Sequence, residues 1–188
     1  MVSLFPLDTW RGRPNGMRRD IADLIAQLRP AFVRFPGGTN LEGSTRANAL
    51  RWKNSVGDLA ERPGVMQFWG YRLTEGIGHY ELLQWCEDLA AAPLWTVNCG
   101  LMAQWKTSER VPLNELEPWV QDALDGIEYA NGVTDTPWGA LRAAAGHPAP
   151  FGLTYVEIGN EQVLAPRSRS AACQRGNTRS RSRSVSLR

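Results

Sequence analysis

Histidine and cysteine are scarce in this sequence, with two His and three Cys among 188 residues. Cys86, Cys99 and Cys173 are odd in number and widely spaced, which gives neither a disulfide framework nor the paired spacing of a metal site. Cys86 falls in a helical pattern and Cys99 closes an apolar run, so both are expected as buried small hydrophobes. His79 opens a helical stretch and His147 sits between Gly146 and Pro148. So far apart, and with no carboxylate pattern around them, they do not suggest a metal. Long apolar runs are also missing. None approaches the ~20 residues that span a bilayer, and no membrane partner is expected. Met1 to Pro6 has no basic segment followed by an apolar one, so no signal peptide is visible and a cytoplasmic location is expected. Acid is absent from one region: seven Arg and no Asp or Glu follow Glu161. Residues 1–161 therefore hold 14 of the 21 basic residues and all 19 acidic ones, a net charge of −5 behind the overall +2. A mildly acidic body carries no nucleic-acid footprint, and no nucleic-acid partner is expected for it.

What is present is the composition of a globular domain: 43% hydrophobic, 21% charged, and rich in Trp, with eight. The length supports one domain with a core. It is short of the ~250 residues typical of an eight-fold α/β barrel. After an irregular start punctuated by Pro6, Gly12, Pro14 and Gly16, Asn15 is positioned to cap a helix. In that helix Met17, Ile21, Leu24, Ile25 and Leu28 form the apolar stripe. Pro30 stops it, and Ala31 to Phe35 reads as a strand ended by Pro36-Gly37-Gly38. Thr39 to Thr74 reads as a long loop, of a length usually kept for function. Gly78 to Ala92 returns to helical period, and Leu94 to Asn98 is a second strand. Pro118 suits the first turn of a further helix, which Asn131-Gly132 ends. Thr136 to Pro150 is loop or short helix.

The third strand is Tyr155-Val156-Glu157-Ile158. Its β-branched and aromatic residues suit a buried ribbon. Gly159 breaks it, and Asn160 and Glu161 follow. Helix and strand thus alternate three times, and each strand ends in a polar tip: Arg34, Asn98, then Asn160 and Glu161. That alternation points to a parallel sheet with a site at one rim. Trp52, Trp69 and Trp105, in the loops after the strands, are candidates for ligand contact, whereas Trp85, Trp95 and Trp119 are expected to pack. Residues 162–188 have no hydrophobic period and end in Arg-Ser repeats. This segment is expected to be disordered, because it buries too little to offset its ordering entropy. Its abrupt change of composition marks it as foreign to the fold, as a shifted reading frame would produce. The competing reading is an Arg-Ser segment that binds RNA or other partners.

Ser3-Leu4-Phe5-Pro6, Arg13-Pro14-Asn15-Gly16, Arg34-Phe35-Pro36-Gly37-Gly38, Trp69-Gly70-Tyr71, Val97-Asn98-Cys99-Gly100 and Tyr155-Val156-Glu157-Ile158-Gly159-Asn160-Glu161 together resemble the α-L-arabinofuranosidases of glycoside hydrolase family 51. The resemblance covers nearly all of residues 2–161. It implies an α/β fold, a partial (β/α)8 TIM barrel of about strands two to four in residues 1–161, followed by the basic tail. It implies release of terminal α-L-arabinofuranosyl units from arabinan and arabinoxylan, with retention. Glu161 would be the general acid/base and Asn160 would hold the sugar 2-hydroxyl. Arg34 would support the catalytic carboxylates, and Asn40, Asn98 and Trp69 would contact substrate. No metal or organic cofactor is needed, the partner is an arabinose-containing saccharide, and a full-length member is compatible with a homo-oligomer.

The chemistry fits those residue types. Retention takes two carboxyl groups about 5–5.5 Å apart, one attacking the anomeric carbon and one donating a proton. The sequence also departs from the family. The nucleophilic Glu of the seventh strand has no counterpart here, and the first strand is not found. Thr39 stands where many members have Asn or Cys, with Asn40 next to it as a substitute. Glu42 and Glu75 in the loops and Glu157 on the strand are the carboxylates that could stand in as nucleophile, but Glu157 reads better as an interior residue bonded to Arg34 or a neighbour. The chain is therefore expected not to be a competent retaining glycosidase. Two other readings stay open: a non-catalytic carbohydrate-binding remnant, and an Arg/Ser-tailed interaction protein.

Overall fold

A computed structural model of the chain describes residues 4, 6–67, 69–103, 107 and 109–161, together with the strand Ser184–Ser186. Helix α1 (Arg19–Gln27) runs into strand β1 (Phe32–Phe35) through a short joint. A short helix α2 (Gly38–Glu42) follows, then an antiparallel pair, β2 (Val65–Met66) and β3 (Arg72–Leu73). Next come α3 (His79–Leu89), β4 (Ala92–Val97), α4 (Glu117–Asn131), α5 (Pro137–Ala144), β5 (Tyr155–Ile158) and β6 (Ser184–Ser186). The main sheet has the order β1-β4-β5-β6, with β1, β4 and β5 parallel. Parallel neighbours joined by helices are the geometry that alternating helix and strand segments require.

Register decides what the sheet presents. Arg34 lies opposite Leu94, Leu94 opposite Tyr155, and Thr96 opposite Glu157. Side chains alternate between faces along a strand. One face therefore carries Arg34, Leu94, Thr96, Tyr155 and Glu157, and is called the inner face below. The other carries Phe35, Trp95, Val97 and Val156. These pack with Leu83 and Cys86 of α3 and with Tyr129 and Ala130 of α4 into the main core. Burial pushes the Cys86 thiol up to about 12, as expected for a packed, unreactive cysteine.

Several local expectations are corrected. The stretch 39–74 is not one loop: it holds α2, two 3-10 turns and the β2–β3 pair. Short elements of two to five residues leave no period to read. Asn15 does not cap α1, which begins at Arg19. Instead its amide donates to the Gly76 carbonyl and, at 3.2 Å, to Glu81. Trp52 is buried, not a ligand platform: its indole N–H donates to the Asp122 carbonyl (2.8 Å) and its ring meets Trp95 edge-on. The tail expectation falls mostly outside the described residues. Within it, Ser184–Ser186 forms a strand antiparallel to β5, with Val185 opposite Val156. An open sheet edge offers unpaired backbone groups that recruit extended chain even from a polar segment.

Ile21, Leu24 and Ile25 of the expected stripe lie in α1, Leu28 caps its end and Met17 precedes it, and much of the stripe is exposed. Leu24 is 61% and Leu28 78% exposed, and Ile21 and Phe32 are exposed beside them. An apolar patch of this kind drives association. The chain is expected to self-associate with rising concentration in sedimentation velocity, and the double change Leu24→Lys, Leu28→Lys should reduce it. At the core, a Cβ on Gly126 of α4 would lie 2.8–2.9 Å from Cζ3 and Cζ2 of Trp95 and closer still to Cη2. Overpacking costs about 1–3 kcal/mol, against about 1 kcal/mol gained in helix propensity. Gly126→Ala is therefore expected to lower the unfolding free energy measured by denaturant titration.

Candidate active site

The polar residues of the inner face converge. Arg34 Nε donates to Glu157 Oε2, and Arg34 Nη2 donates to Asn160 Oδ1 at 2.9 Å. Thr96 Oγ1 donates to the same Glu157 oxygen at 2.9 Å. Three strands, far apart in sequence, thus meet in one network. Arg34 keeps 32% of its side-chain surface, while Glu157, Asn160 and Thr96 are buried. The cost of placing the Glu157 carboxylate there is offset by its two donors and the guanidinium charge.

At the end of β5 the chain turns sharply. Gly159 has φ +76° and donates its N–H to the Val97 carbonyl (2.8 Å). Asn160 is thereby drawn in at 5% exposure, with its Nδ2 left without a partner among the described residues. Glu161 follows, exposed and with φ +46°. A non-glycine residue in the left-handed region is held there at a cost, a condition common at functional sites.

The sequence-derived site residues divide into two groups. Arg34 and Asn160 are brought together. Arg34 was expected to support the catalytic carboxylates; its partners are Glu157 and Asn160, because register places Glu157 on its own face. Glu157 is thus the interior residue bonded to Arg34, with its carboxylate already engaged. Asn98 is committed to the backbone: it donates to the Leu41 carbonyl (3.0 Å) and accepts from Gly100 N–H (2.8 Å). Trp69 is 60% exposed. Trp105 lies outside the described residues. Thr96 was missed, although its place on a strand, in phase with Arg34 and Glu157, was the available signal.

Asn40 lies beside a cavity of about 270 Å³ at the edge of β1, lined also by Arg34, Glu75, His79, Trp85 and Trp95. Asn40 Oδ1, His79 Nε2 and Trp85 Nε1 have no partner among the described residues. Burial raises the Glu75 carboxyl, opposed by the Gly64 N–H it accepts and by Arg62 and Arg72. Burial pushes the His79 imidazole down to about 3, so it is neutral near pH 7. Among the described residues, no group of three or more His, Cys, Asp or Glu could hold a metal ion, and no helix is long and apolar enough to cross a membrane.

Comparison with known proteins bears on what such a rim does. Residues 24–175 match the family described as alpha-L-arabinofuranosidase 1 domain. The chain belongs to the α-L-arabinofuranosidases of glycoside hydrolase family 51. It is 44% identical over 164 residues to alpha-L-arabinofuranosidase 2 of Arabidopsis thaliana, covering 87% of this chain and 23% of that one. It is 43% identical over 180 residues to an extracellular exo-alpha-L-arabinofuranosidase of Streptomyces chartreusis, covering 87% and 21%. Among solved structures, an arabinose-bound family 51 α-L-arabinofuranosidase superposes with a TM-score of 0.78 at 44% identity, over 81% of this chain and 24% of that one. The arabinose complex of the Thermotoga maritima enzyme gives 0.62 at 25% identity, over 78% and 26%. The chain therefore spans about a quarter of the length of the arabinofuranosidases it matches. The family match continues to residue 175, past the boundary that composition suggests at Glu161.

The neutral, enclosed His79 has a consequence for stability. Its folded pKa lies below the ordinary 6.5. Between pH 6.5 and about 3 the unfolded chain binds a proton that the folded chain does not. Stability is then full above 6.5 and falls as pH drops through that window. The contribution approaches about 1.4 kcal/mol per pH unit. Unfolding free energies measured from pH 7 to pH 4 should fall less steeply in His79→Phe than in the unaltered chain.

Proposed function

We propose that this chain is the part of a retaining α-L-arabinofuranosidase that supplies the general acid/base and the grip on the sugar, as strands two to four of a (β/α)8 barrel. In this reading β1, β4 and β5 are those strands, and their carboxyl ends form one sector of the rim where barrel enzymes do their chemistry. Glu161 donates a proton to the glycosidic oxygen and later takes one from water. Asn160 meets the sugar 2-hydroxyl, a contact that strengthens as the transition state forms. The nucleophilic carboxylate comes from a later strand outside these residues, since Glu157 is occupied by Arg34 and Thr96. The substrate class is an arabinose-containing saccharide. The arabinose-bound relatives support it, because their resemblance covers 81% and 78% of this chain.

One observation carries this reading. The buried amide of Asn160 has one end fixed on Arg34 and the other end unpartnered among the described residues, directly before an exposed Glu161 in a constrained backbone. A buried donor left unmade costs about 1–3 kcal/mol unless a ligand completes it. The exposed Ile21, Leu24 and Leu28 of α1 and Tyr155 and Ile158 of β5 fit the same reading, as surfaces that the rest of a barrel covers.

The test supplies the rest of the barrel. Residues 24–161 are grafted in place of the matching segment of the Arabidopsis thaliana relative, and hydrolysis of an aryl α-L-arabinofuranoside is followed. The graft is expected to turn over, and Glu161→Gln within it should lower kcat by about 10²–10⁴-fold with a leaving group that needs protonation. The 188-residue chain by itself is expected to give no turnover. Turnover by this chain at the rate of the relative, or a Glu161→Gln graft of undiminished activity, would overturn the assignment.

A further inference from the structure

We infer that Glu157 and Thr96 are positioning residues that decide which end of the Asn160 amide faces the ligand. The two ends of an amide are nearly the same shape, yet one accepts hydrogen bonds and the other donates them. Which way the group points is therefore set by its partners. Arg34 carries only donors, so its Nη2 can meet Asn160 only at Oδ1, and does so at 2.9 Å. The turned-over amide would set two donors against each other. Asn160 is thereby committed to presenting Nδ2, which is buried without a partner among the described residues. The ligand group received there must be an acceptor, such as a hydroxyl oxygen whose own proton points elsewhere.

What fixes Arg34 is the next question. Its side chain lies on a face still open to solvent, where a free guanidinium samples many rotamers. Its Nε is tied to Glu157 Oε2, and that oxygen also accepts from Thr96 Oγ1 at 2.9 Å. Thr96 has no exposed surface and faces Glu157 directly in the β4–β5 register. The chain of command runs from an enclosed hydroxyl to a carboxylate, to a guanidinium, to the amide oxygen. Thr96 Oγ1 and Glu157 Oε2 are spent on each other and on Arg34, and in this role each acts through Arg34. This deepens the reading of Asn160 as the sugar contact and rests on that reading for its relevance to catalysis, though not for the amide's orientation.

The test reads the amide itself, without sugar. The 188-residue chain is labelled with [15N]Asn and kept dilute. The Asn160 side-chain NH2 pair is assigned by its loss in Asn160→Asp. Glu157→Gln should move that pair toward the position of a free amide. Thr96→Val should move it in the same direction by less, and Thr96→Ser, which keeps the hydroxyl, should leave it in place. If Glu157→Gln loses the dispersion of the folded spectrum, the Thr96→Val and Thr96→Ser pair decides the matter. An Asn160 pair that stays within its linewidth in a folded Thr96→Val chain overturns the inference. L-Arabinose is then added to the same sample. If the variants shift the pair as expected but the sugar does not, the positioning role stands and the assignment of Asn160 as the sugar contact fails.

Discussion

The guanidinium of Arg34 ties β1 to the far end of β5, reaching Glu157 and Asn160 across more than 120 residues of sequence. Such contacts exist only after the parallel sheet has assembled in register, since a slip of one residue would turn Glu157 and Thr96 to the opposite face. The network is accordingly both a product of the fold and a check on it. A carboxylate on a partly covered sheet face is costly alone and tolerated with two donors and a cation. The same arrangement leaves Asn160 Nδ2 without a partner among the described residues, directly before Glu161.

The other face of the sheet explains why the inner face can remain polar. Trp52, Trp95, Tyr129 and Phe35 fill the space between the strands and helices α3 and α4. The stability of the strands comes from that layer, and the inner face is free to carry charge. The neutral His79, with its ring centroid 4.8 Å from Trp95, belongs to the packed layer more than to the chemistry. Apolar side chains stay uncovered on α1 and along β5, and also elsewhere, as at Met66, Ile77, Val120 and Leu124. That pattern agrees with a chain spanning about a quarter of the arabinofuranosidases it matches.

Much of this was legible in the sequence. The 3.6-residue stripe of α1, the β-branched and aromatic residues of β1 and β5, and Pro118 near the start of α4 each reflect a local rule. The Gly-Asn-Glu and Arg-Phe-Pro-Gly-Gly motifs identified the family. Less legible were features that depend on partners distant in the chain. Nothing near Trp52 shows that its indole will be buried against Asp122, and nothing near Asn98 shows that its amide will be committed to Leu41 and Gly100. Thr96 reads as one β-branched residue among others until register places it against Glu157. The Ser184–Ser186 strand has no pattern of its own, because it is recruited by the open edge of β5. The stripe of α1 revealed a helix, but no sequence period states whether the surface meant to cover it is present.

The most direct measurement of the central claim is a double-mutant cycle on unfolding free energy between Arg34→Gln and Asn160→Ala, with the single and double variants compared in the same denaturant titration. If the guanidinium holds the amide, the two changes share one interaction, and the cycle should close with a coupling of about 0.5–3 kcal/mol. Strict additivity of the two effects would contradict it.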